Sequence, residues 1–67
     1  MNNREKTIRA FVKFVEGQFD DAWDGMTEFR LEDLWGVFLG ERIACHATAR
    51  KMHFGEVFDA VRGRIEE

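Results

Sequence analysis

At 67 residues, with a net charge of −3 and a single cysteine, the chain reads as one short domain, 1–67, with no intramolecular disulfide to staple it. A chain of this size buries only about 60% of its unfolded surface, so oligomerisation or unusually tight helix packing is the expected remedy for a marginal core. No stretch reaches the roughly 18 apolar residues that a membrane-crossing helix needs, which excludes a helical span.

Residues 1–13 are polar and basic, without the apolar run of a secretory leader. A lone free thiol suits a reducing compartment, so a cytoplasmic location is expected. The charge is unevenly spread. Arg4, Lys6, Arg9 and Lys13 against Glu5 leave +3 over residues 1–13. Glu16, Asp20, Asp21, Asp24, Glu28, Glu32 and Asp33 against Arg30 leave −6 over 14–33, and the remainder balances. An acidic total argues against non-specific nucleic-acid binding, which rests on neutralising phosphates. The layout suits antiparallel helices and presents an acidic patch to a partner.

In chain order, Asn2 or Asn3 is positioned to cap a first helix, with Glu5 in its first turn. Ile8, Phe11, Val12, Val15, Phe19, Ala22, Trp23 and Met26 then recur at three/four spacing, which predicts a helix over residues 3–24. Phe14 lies off that stripe with Ala10, and is expected to open a second contact surface beside the acidic run Asp20, Asp21 and Asp24. Gly25 ends the helix, Thr27 is a candidate N-cap, and Phe29 is expected to pack down from the connection.

A second, long central helix is predicted over 31–52. Leu31, Leu34, Trp35, Phe38, Leu39, Cys45, Ala49 and Met52 share one side of it. The other side carries Gly36, Gly40, Ala44 and Thr48 at every fourth position. Two helical glycines cost roughly 1 kcal/mol each relative to alanine, a cost easier to understand where a second backbone approaches closely. Gly36, Gly40 and Ala44 are therefore candidate dimer contacts, with internal packing on a third helix or a simple kink as alternatives. Arg42 sits within the apolar stripe, where its stem is expected to lie on the core and its guanidinium to reach water.

The apolar phase jumps after Met52. Phe54, Val57, Phe58, Val61 and Ile65 form a new stripe, predicting a break near His53 to Gly55 and a last helix over 56–65. Without strand alternation or proline, the expectation is an all-α, three-helix domain and a dimeric helical assembly.

Candidate chemistry is sparse. Cys45, His46 and His53 lack the paired short spacing of a structural zinc site. Cys45 and His46 are neighbours that point about 100° apart on a helix and make no nucleophile–base pair. No phosphate loop or serine elbow occurs. No catalytic residue, metal or cofactor is assigned, and a binding role, as an adaptor or an inhibitor of a larger protein, is expected in place of an enzyme. The competing class is a helix-turn-helix DNA-binding regulator. It would use His46 to His53 as its positioning helix and Glu56 to Ile65 as its recognition helix, with Arg50, Lys51, Arg62 and Arg64 on phosphates.

Overall fold

The computed structural model describes residues 2–18, 20–41 and 46–65, with His46 described by its backbone. The described segments form helices α1 (Asn3–Glu16), α2 (Glu28–Gly40), α3 (His46–Ala49) and α4 (Phe54–Val61), followed by a 3₁₀ turn over Arg62–Arg64. No strand occurs among the described residues, as an all-α reading requires.

The first helix begins as its sequence dictates. The Asn2 side chain accepts from the Glu5 backbone N–H at 2.8 Å and satisfies one of the donors that a helix start leaves open. Phe11, Val12 and Val15 bury the expected stripe, joined by Thr7 one turn earlier. Among the described residues Thr7 is the one polar side chain in the core, and its hydroxyl donates to the Asn3 carbonyl at 2.8 Å, so its burial leaves nothing unsatisfied.

The helix stops at Glu16, not near residue 24. Gly17 caps it by donating to the Lys13 carbonyl at 2.9 Å, and Gln18 tightens the end with a bond to the Val15 carbonyl at 3.1 Å. Continuing would set Asp20, Asp21 and Asp24 on the negative end of the helix dipole, and Gly17 weakens the helix there. A run of turns takes over instead, with Asp24 bonded to Asp21 and Met26 to Trp23 through the backbone. Gly25 supplies the left-handed residue, at φ 73°. Ala22 and Met26 still reach the core from these turns, which is why the periodicity ran past the true helix end.

Thr27 caps α2 through its hydroxyl, which accepts from the Arg30 N–H at 3.1 Å. Leu31, Trp35 and Phe38 are buried along α2, as their spacing predicted. The predicted long helix over 31–52 is nonetheless divided. Helix α2 ends at Gly40, and Glu41 is extended, at φ −81° and ψ 154°. Glycine is a poor helix former and Glu41 is a carboxylate at the negative helix end, so both favour termination. Ala49 and Met52 reach the core from α3 and the turn after it. The expected break near His53 is present: His53 is extended, at ψ 145°, and α4 starts at Phe54 with Gly55 inside its first turn. The last helix is thus shorter than 56–65 at its end and begins two residues earlier.

The elements meet around Phe11, which is fully buried. Its ring lies 5.0 Å from that of Trp35 in an edge-to-face arrangement and 5.2 Å from Phe38, while Trp35 and Phe38 stack at 5.4 Å. Leu31 together with Val57 and Val61 of α4 closes the cluster, again with no exposure. Replacing Phe11 by alanine should cost about 3–5 kcal/mol, most of what a domain this small has to spend. Thermal melts followed by circular dichroism should show Phe11→Ala without a cooperative transition at 25 °C or above; a melt within about 5 °C of wild type would contradict this packing.

Candidate interaction surfaces

Phe14 is the residue expected to open a second contact surface. It is half-buried, and its ring lies 5.5 Å from Phe38, on the flank of the core. Asp20, Asp21 and Asp24 are exposed on the turns after α1. Phe29 departs from the expected packing. It belongs to the first turn of α2, and it stands 82% exposed where packing was expected.

Phe29 in fact marks one face of α2. Glu32, Asp33, Gly36, Val37 and Gly40 follow it at steps of three and one, which places them on a single side of the helix. All of them are exposed, Val37 by 54%. A Cβ added at Gly36 or Gly40 would meet nothing within 4 Å. Among the described residues, therefore, nothing packs on the small-residue side at these two positions. Ala44 lies outside the described residues, as do Arg42 and Cys45. A depression of about 200 Å³ adjoins this face, lined by Glu28, Phe29, Glu32 and Phe54.

A second surface lies between α1 and the end of α4. There a groove of about 430 Å³ is floored by Ile8, Val12 and Val61 and edged by Arg9, Lys13 and Arg64. Glu16 lines it too, and its carboxylate accepts from the Trp23 indole N–H at 2.9 Å. Among the described residues Arg9, Lys13 and Arg64 have no ion pair. Sequence reasoning missed this surface. The i,i+4 spacing of Arg9 and Lys13 was a visible signal, but nothing in the order of residues tied them to Arg64.

The four cations set out for DNA lie in different surroundings. Arg62 pairs with Asp59 at 3.1 Å and lies 5.1 Å from the Phe58 ring centroid. Arg64 belongs to the groove with Arg9 and Lys13. Arg50 and Lys51 are exposed in the turn after α3. The expected positioning helix over 46–53 is reduced to the four residues of α3. On α4, Glu56 is held by Arg4 of α1. His53 is exposed and precedes α4. No cluster of three or more His, Cys, Asp or Glu suited to a metal occurs among the described residues. No described helix is long and apolar enough to cross a membrane. Comparison with protein families, curated proteins and solved structures returns no match to the chain.

Because the space around Gly36 is open, Gly36→Ala should stabilise an isolated chain by about 0.5–1 kcal/mol through helix propensity. For so short a domain that is a rise of roughly 2–8 °C in Tm. A dilute sample, melted by circular dichroism, checks this; a lowered Tm would mean that another part of the chain occupies the space.

Proposed function

We propose that this chain is a small helical protein–protein interaction module that self-associates and acts as an adaptor or an inhibitor by covering a site on a larger protein. The reading is supported above all by the outer face of α2, where Phe29 and Val37 are 82% and 54% exposed on a helix whose other side fills the core. Covering an exposed apolar side chain recovers about 1.5–3 kcal/mol at most, and aromatic anchors carry a large share of the energy at protein interfaces. Gly36 and Gly40 present no side chain on the same face, so a partner backbone can approach closely. Elsewhere on the surface, exposed Asp20, Asp21 and Asp24 offer an acidic patch that favours a basic partner and steers encounter. This is a role in binding and not in catalysis, it calls on no cofactor, and the lone thiol suits the cytoplasm.

Immobilised protein should retain a specific partner from an extract of its source cells. The double variant Phe29→Asp, Val37→Asp should lose at least tenfold of that retention, roughly 1.4 kcal/mol, while melting within a few degrees of wild type. Undiminished retention by the folded variant would remove the α2 face from the account. A salt-sensitive shift of duplex DNA, abolished by Arg50→Glu with Lys51→Glu, would favour the DNA-binding regulator instead.

A further inference from the structure

We infer that the groove between α1 and α4 seats the outer face of α2 from a second copy of this chain. The inference rests on the self-association proposed above and names the two surfaces that make the contact.

Charge complementarity selects the occupant. The chain is acidic overall, at −3, yet Arg9, Lys13 and Arg64 edge one groove and have no ion pair among the described residues. The one carboxylate lining that groove, on Glu16, is engaged by the Trp23 indole. The outer face of α2 has the opposite character, with exposed Glu32 and Asp33 one turn beyond Phe29. Glu28 precedes Phe29 and adds a further carboxylate beside it.

The apolar parts match as well. Ile8, Val12 and Val61 give the groove an apolar floor, and its volume of about 430 Å³ accommodates an aromatic ring. Phe29 is the most exposed large apolar side chain among the described residues. A ring seated between two helices, with carboxylates of its own helix meeting cations on the groove's rim, is the helix-in-groove mode of recognition. A phosphate ligand would use the cations but leave the apolar floor without a partner. Ridge and groove are different patches of one surface, so the contact either closes as an isologous two-fold pair, each ridge in the other's groove, or is heterologous and forms a ring or an open chain.

The test is a charge exchange read by light scattering across a concentration series. Wild-type protein should rise above the monomer mass with concentration. Its association should weaken between 0.1 M and 1 M salt, as the Debye length falls from about 10 Å to about 3 Å. One variant carries Arg9→Glu and Lys13→Glu, and the other Glu32→Lys and Asp33→Lys. Each alone opposes like charges and should associate at least tenfold more weakly than wild type, with a helical circular-dichroism spectrum as the check on folding. Mixed in equal amounts, they restore opposite charges at the contact and should recover association. A wild type that stays monomeric at every concentration overturns the inference. So does an associating wild type whose folded variants fail to recover on mixing, and in that case self-association itself still stands with its surfaces elsewhere. Retention of a larger partner is measured separately, and because it draws on the same α2 face it should compete with self-association.

Discussion

The ring of Phe11, held between Trp35 and Phe38, is the contact on which the remaining structure depends. Phe11 comes from α1 and the other two from α2, so this cluster fixes how the first two helices cross. Edge-to-face and offset contacts of this kind add about 0.5–1.5 kcal/mol beyond burial alone. The later elements then add side chains to a surface already set: Ala49 and Met52 from the region of α3, Val57 and Val61 from α4. Arg4 and Glu56 tie α1 to α4 at the exposed edge, a pair that contributes little in water beside the apolar cluster.

Since the core is filled from one side of each helix, the other sides are what the molecule has to offer. The outward side of α2 is not the charged face usual for a surface helix. It is two glycines and two apolar side chains among the carboxylates of Glu32 and Asp33, with Arg30 at its margin. The side of α1 that turns toward α4 places two of its lysine and arginine side chains on a groove. An acidic apolar ridge and a basic apolar groove thus arise from the two helices that build the core, and no other described residue covers either.

Much of this was legible in the sequence, and the failures have physical causes. The stripe Phe11, Val12 and Val15, the Thr27 cap, and the buried set Leu31, Trp35 and Phe38 follow directly from spacing and capping chemistry. The extension of the first helix past Glu16 came from Ala22 and Met26, which keep helical spacing but reach the core from turns. Gly17 and three following aspartates were the signals against it. Likewise Ala49 and Met52 kept the phase of α2 across a break at Gly40 and Glu41. Periodicity records which residues are buried, not whether one continuous helix carries them. Phe29 was misplaced because its residue type argues for burial, and only the direction of α2 turns it outward. The groove was beyond sequence reasoning for a related reason: it requires knowing which side of α1 meets the end of α4.

We propose that one chain closes its own core and uses the α2 face and the α1–α4 groove as its contact surfaces. A dilution series of two-dimensional ¹H–¹⁵N NMR spectra tests that most directly. Amide resonances of Phe29, Glu32 and Val37 should move with concentration together with those of Arg9, Lys13 and Arg64. Those of Phe11, Trp35 and Phe38 should stay fixed and dispersed down to the most dilute sample. Loss of dispersion at the core residues on dilution would contradict it, because the fold would then require a second chain; so would concentration shifts confined to the opposite sides of α1 and α2.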